Sequence, residues 1–100
     1  MWIQMNPQAG REQAGHRPAF VVSPKAYNGK VGLALMCPIT SKQKGYPFEV
    51  RVDGRSTHGV ILADQVKSLD WQARGARIEE RLKASTTAEV LAKLETLIRN

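Results

Sequence analysis

Seven consecutive residues, Glu12-Gln13-Ala14-Gly15-His16-Arg17-Pro18, bring a carboxylate, an amide, an imidazole and a guanidinium together just ahead of an apolar run. That set offers a proton acceptor, a neutral hydrogen-bonding reader, a group that titrates near neutrality and a permanent fork-shaped cation. Such groups suit acid–base work on an anionic substrate, or its recognition. A second set comes after the next apolar runs: Thr40, then Lys42 and Lys44 in a loop, with Tyr46 and Phe48 close behind. Aromatics beside lysines can stack bases and hold phosphates of a single strand, although Phe48 falls on the inward side of an alternating segment and reads as core. Arg74 and Arg77, flanking Gly75, form a third candidate anion patch. Each residue also has a plainer reading. An arginine before proline is usually a surface residue and a threonine after a strand a turn former; His16 can hydrogen-bond within its own turn, and Gln13 can brace its loop. His58, on the Ser56–Gly59 turn, reads as solvent-exposed.

The charge distribution suits a polyanionic partner, and equally a solubilising basic surface with no partner. The net charge is +6, and residues 1–60 hold eight Lys/Arg against three Asp/Glu, while residues 61–100 hold seven against six. Positive charge is therefore concentrated around the segments that carry the chemistry, where it raises encounter rates with polyanions and supplies salt-sensitive phosphate contacts. The two histidines are far apart in sequence and no His/Cys/carboxylate spacing resembles a zinc site, so no metal ligand set and no cofactor is expected. The single cysteine, Cys37, lies between Met36 and Pro38 and reads as a buried reduced thiol. No apolar run approaches the ~20 residues of a membrane span and the N-terminus lacks a signal-peptide pattern, so the expected location is the cytoplasm.

One hundred residues suit one domain, residues 1–100, with a core that removes above ~60% of the unfolded surface from water. Met1–Met5 reads as a short strand, and Asn6–Gly15, with Pro7, Gly10 and Gly15, as a long exposed loop. Ala19–Ser23, ended by Pro24, has the form of a buried strand, and Pro24–Gly29 that of a turn or single helical turn closing on Asn28-Gly29. Val31–Cys37 is apolar on both faces, which predicts a central strand with Thr40 just past it. Phe48–Val52 alternates, Phe48, Val50 and Val52 inward and Glu49 and Arg51 outward, and Asp53-Gly54 marks a hairpin. Gly59–Ala63 and Val66–Leu69 complete a set of short strands that suggests a small barrel, with Trp71 as core or dimer surface. Thr86-Thr87-Ala88-Glu89 has the form of a capping box, and Val90, Leu91, Leu94, Leu97 and Ile98 recur with helical spacing. An amphipathic helix from Thr87 to about Ile98, packed on the barrel, is expected.

Four blocks, Gly15-His16-Arg17-Pro18, Pro38-Ile39-Thr40, Lys44–Val50 and Gly59–Ser68, resemble in order and spacing the MazF/PemK family of toxin–antitoxin ribonucleases. The resemblance spans nearly the whole chain. It implies a mainly β fold, a small SH3-like barrel of the MazF/PemK/CcdB-like kind with short helices and a C-terminal helix, forming a homodimer. It further implies a sequence-specific, metal-independent endoribonuclease that cuts single-stranded RNA, mainly mRNA, at a short ACA-like motif, leaving 2′,3′-cyclic phosphate and 5′-hydroxyl ends. In that family the arginine of the strand-opening turn, here Arg17, is catalytic, the threonine after the third strand, here Thr40, assists at the phosphate, and Glu12 is placed as a base. Gln13, His16, Lys42, Lys44, Arg74 and Arg77 are then the RNA-binding candidates. The implied protein partner is a cognate MazE/PemI-like antitoxin, whose acidic disordered tail would compete for the same basic groove. Family members carry a further segment with a Gly-Asp pair ahead of the first strand, so the resemblance implies a chain shortened at that end. Two other readings remain: a toxin that poisons DNA gyrase by binding without cleavage, and an inactive relative that binds nucleic acid or antitoxin. The Arg17 and Thr40 pair favours the nuclease.

Overall fold

The alternating and apolar segments become strands of one antiparallel sheet. In the computed structural model these are β1 (Trp2–Met5), β2 (Arg17–Val21), β3 (Ala34–Thr40), β4 (Glu49–Asp53), β5 (His58–Leu62), β6 (Lys67–Leu69) and β7 (Arg77–Glu80), with helices α1 (Lys25–Val31) and α2 (Ala84–Ile98). The structure describes residues 2–5, 17–55 and 57–99, with backbone alone at 2–5, 17 and 77–79. The expected loop Asn6–Gly15, and with it Glu12, Gln13 and His16, lies outside the described residues.

The strand order is β4-β5-β3-β2-β1-β7, and β6 adds to β3. The central strand predicted from its two apolar faces is indeed β3: Ala34–Met36 pair with Leu69–Lys67 of β6, while Ile39 and Thr40 pair with Ile61 and Val60 of β5. Because one edge of β3 serves two neighbours in succession, the sheet folds over itself into a small SH3-like barrel. Pro38 falls between the two sets of pairs, where a missing N–H costs the ladder least. The observed strand begins later than the expected Val31–Cys37, because Val31 closes α1, and it runs on to include Thr40.

The two faces of the sheet bury different side chains. Phe20, Cys37, Ile39, Val50, Val52, Ile61 and Ala63 form the larger core, joined by Val90 of α2; Ala19, Val21, Ala34 and Met36 form the second, covered by Leu69, Trp71 and Ala76. Cys37 is a free, fully buried thiol, as its neighbours in the sequence indicate. Phe48, by contrast, is only half-buried, its ring tilted against Tyr46 with centroids 5.9 Å apart.

Three local expectations are corrected. The Asn28-Gly29 pair does not end a turn: α1 continues to Val31 and stops at Gly32, which takes the left-handed conformation (φ 82°). Asn28 is diverted from turn formation because its side-chain amide bonds both the hydroxyl and the carbonyl of Ser23. The capping box at Thr86–Glu89 does not form either. α2 starts at Ala84, Lys83 occupies the N-cap position without a side-chain cap bond, and Thr86 is buried within the first turn with its N–H donating to the Lys83 carbonyl at 3.1 Å. Of the apolar positions on α2, Val90 is fully buried, but Leu91, Leu97 and Ile98 are exposed, so only a narrow stripe meets the barrel. Finally, β7 was not anticipated; it pairs with β1 in spite of its charged sequence.

Candidate functional site

The pairing of β2 with β3 puts the two principal candidates on adjacent strands. Ala19 pairs with Pro38, Phe20 with Cys37 and Val21 with Met36. That pairing ends at Ala19 and Pro38, and Arg17 and Thr40 each lie two residues beyond it, Thr40 at the end of β3 where the lysine-bearing loop begins. On its other side Arg17 pairs with Met5 of β1, and Thr40 with Val60 of β5. Two residues separated by more than twenty positions in sequence thus lie on adjacent strands.

Beyond Thr40 the chain forms one wall of an open groove of about 570 Å³, lined by Thr40, Lys42, Lys44, Tyr46, Glu49, Leu62 and Gln65 among others. Both lysines are exposed. The Thr40 hydroxyl oxygen accepts a hydrogen bond from the Lys42 N–H at 3.1 Å. While accepting that bond the hydroxyl retains a rotatable O–H able to donate to a ligand oxygen.

The loop is tied down along its length. The Glu49 carboxylate accepts the N–H of Lys44 at 2.9 Å and that of Gly45 at 3.1 Å. Gly45 adopts φ 78°, which lets the backbone turn both N–H groups toward one carboxylate. The Tyr46 hydroxyl donates to Asp64 Oδ2, a bond that raises the Tyr46 pKa above its ordinary value. Lys93, reaching from α2, donates its ammonium to the Pro47 carbonyl at 2.8 Å. Asp64 Oδ1 is buried without a hydrogen-bond partner among the described residues. Burial, and then the nearby Asp64 charge, push the Cys37 thiol up to about 11, which makes it inert as a nucleophile.

Arg74 is half-buried in the turn at 71–75 and does not line the groove; Arg77 opens β7, paired with Gln4 of β1. His58 is exposed at the start of β5, as expected, with Nδ1 3.2 Å from Asp53 Oδ1. Among the described residues no group of three His, Cys, Asp or Glu side chains gathers as a metal site would require.

Residues 1–98 match a family model described as the PemK-like, MazF-like toxin of type II toxin–antitoxin systems. The chain belongs to this family. It is 48% identical over 98 residues to the endoribonuclease toxin MazF of Escherichia coli K12, covering 98% of this chain and 88% of that one. The Escherichia coli endoribonuclease PemK is 34% identical over 101 residues, covering 96% of this chain and 76% of its own. Among solved structures, MazF of Deinococcus radiodurans in a MazE–MazF crystal superposes with a TM-score of 0.88 at 43% identity, over 98% of this chain and 90% of the other.

Within this MazF-like chain, sequence reading located Thr40, Lys42 and Lys44 at the groove but missed the residues that hold the loop. Glu49 registers in sequence only as an outward position on β4, and Asp64 only as a break between strands. A carboxylate four and five residues beyond a Lys-Gly pair is a usable signal for such a brace, because a short loop returns it to the backbone N–H groups it has just left.

Proposed function

We propose that this chain is the toxin of a type II toxin–antitoxin pair and acts as a metal-independent, sequence-specific endoribonuclease on single-stranded RNA. The observation that supports the reading is the pairing of β2 with β3, which puts Arg17 and Thr40 on adjacent strands, with Thr40 lining a groove that also bears Lys42 and Lys44, in a chain 48% identical to an endoribonuclease MazF. We take the chain to work as one domain in the cytoplasm, as a homodimer, controlled by an antitoxin whose acidic tail lies in the same groove. Deinococcus radiodurans MazF, its relative, crystallises in complex with MazE, which supports a partner of that kind.

The reaction is an in-line transesterification. The 2′-hydroxyl oxygen bonds to the adjacent phosphorus, the bond from phosphorus to the 5′-oxygen breaks, and the products are a 2′,3′-cyclic phosphate and a 5′-hydroxyl. Glu12 orients the 2′-hydroxyl and takes its proton; the departing 5′-oxygen receives one from solvent. A carboxylate placed beside a guanidinium becomes a poorer base, and a guanidinium does not give up a proton readily, so neither Glu12 nor Arg17 is assigned the dominant acid–base role. The larger contribution in this account is electrostatic. Arg17 holds two oxygens of the pentacoordinate phosphorane in its fork, and Thr40 donates its free O–H to the same group. Lys42 and Lys44 contact flanking phosphates. Gln13 and His16 are assigned to RNA binding in the loop before β2, and Arg74 and Arg77 to phosphates further along the strand.

The test is to incubate the chain with a long single-stranded RNA and determine the chemistry of both new ends. Discrete cuts with cyclic phosphate and 5′-hydroxyl ends support the proposal. Intact RNA together with inhibition of gyrase supercoiling would replace it with the binding-toxin reading.

A further inference from the structure

A carboxylate in a groove that receives phosphates opposes binding unless it performs some other task. Glu49 lines the same groove as Lys42 and Lys44, yet both its oxygens are turned onto the loop that carries them, accepting the Lys44 and Gly45 N–H groups at 2.9 and 3.1 Å. Glu49 is half-buried on β4, and its flanking residue Val50 is fully buried in the larger core. The carboxylate is therefore mounted on one of the most firmly packed strands of the barrel. The loop it holds spans from the end of β3 to the start of β4 and contributes no strand pairing of its own. Without Glu49, the N–H groups of Lys44 and Gly45 have no partner other than water, and the left-handed turn at Gly45 (φ 78°) loses the contact that favours it over other conformations open to glycine.

We propose that Glu49 is a positioning residue for RNA binding, fixing the backbone of the Lys42–Tyr46 loop so that both lysines meet the phosphates of the strand. The inference rests on the endoribonuclease reading and adds a sign that electrostatics alone would reverse. Removing a negative charge from a basic groove should tighten polyanion binding; removing the anchor of the lysine loop should weaken it. The Tyr46 hydroxyl bond to Asp64 and the Lys93 bond to the Pro47 carbonyl brace the far end of the same loop. They hold residues after the lysines, and the Lys42 N–H is held by Thr40, so Glu49 is the brace at Lys44 and at the turn that follows it.

The experiment measures binding of a 2′-O-methylated copy of an RNA that the chain cuts, across a series of salt concentrations, for the wild type, Glu49→Gln, Glu49→Ala and Tyr46→Phe. Loss of a single-strand phosphate contact lowers the slope of log K against log salt by about 0.7. The expected result for Glu49→Ala is binding weakened about tenfold at low salt, with the slope reduced by about 0.7 to 1.4 for one or both lysines released. Glu49→Gln, which keeps one acceptor oxygen, falls between, and Tyr46→Phe changes the slope little. A merely structural role would lower the melting temperature without moving the slope of the folded fraction. Unchanged or tighter binding by folded Glu49→Gln, with the wild-type slope, overturns the positioning role alone. A wild type that neither cuts the parent RNA nor binds its copy overturns the endoribonuclease reading, and this inference with it.

Discussion

Replacing Gly59 with alanine tests whether Thr40 must stay where the barrel puts it. Gly59 adopts φ 139°, a region closed to side-chain-bearing residues at ordinary cost, and a Cβ built on it would lie 2.3 Å from the Thr40 carbonyl oxygen and 3.3 Å from Ser41 Cα. Both neighbours are backbone, so no rotamer change can relieve the contact. An ordinary carbon–oxygen approach is about 3.3 Å, so the end of β3 and the facing part of β5 must separate by roughly 1 Å. The conformational strain costs about 1–3 kcal/mol, which a domain stable by about 5–15 kcal/mol survives. For a chain of this size it appears as a melting temperature lowered by about 10 °C. The functional cost is larger in proportion. A 1 Å displacement of a group that contacts the reacting phosphate reduces turnover by about 10²-fold. The assay is RNA cleavage at a temperature where circular dichroism shows Gly59→Ala fully folded, with KM and kcat determined separately. A folded Gly59→Ala with wild-type kcat would refute the argument that Thr40 acts from a fixed place.

Other consequences can be checked with similar means. Arg17→Lys keeps the charge and loses the fork, so cleavage should fall by about 10²-fold or more, and near-wild-type activity would show that bidentate geometry is not needed. Thr40→Val preserves the shape of the side chain and removes the O–H, and a loss of about tenfold in kcat is expected, with a melting temperature close to wild type. Val90→Ala empties a fully buried site between α2 and the barrel, and should cost about 2 kcal/mol in urea unfolding while leaving the cleavage pattern unchanged. The Cys37 thiol, raised to about 11 by burial, should resist alkylation at pH 8 in the folded chain and react readily in denaturant. Because its pKa is higher folded than unfolded, the thiol contributes fully to stability below pH 9, and that contribution is lost as pH rises from 9 toward about 11. Stability that rises over that range would contradict the burial argument, and Cys37→Ser provides the control.

β4 could be read directly from its clean alternation and β5 from its short apolar run, each to within a residue, because period-two patterning or a continuous apolar stretch records what a strand buries. The limits came where a local signal was overruled by a distant contact. Asn28-Gly29 looks like a turn until Ser23 takes up the asparagine side chain, and Thr86 looks like an N-cap although the helix starts two residues before it and buries it in the first turn. β7, with Arg77, Glu79 and Glu80, gives no apolar pattern and is a strand because β1 pairs with it. The site shows the same division. The chemistry of Arg17, Thr40, Lys42 and Lys44 is visible in their types, whereas the placing of Arg17 and Thr40 on adjacent strands comes from the pairing of β2 with β3, and the Glu49 brace depends on backbone N–H groups that every sequence carries and none displays.

The central claim is that the chain's own side chains, acting on the 2′-hydroxyl of the RNA, suffice for cleavage. The most direct measurement compares an RNA with the same RNA carrying a single 2′-deoxy substitution at the nucleotide 5′ of the cut, both in excess EDTA. The account predicts cleavage of the first at that position and none of the second, with other sites on the second still cut. Cleavage at the deoxy position, or loss of all cleavage on adding EDTA, would contradict it.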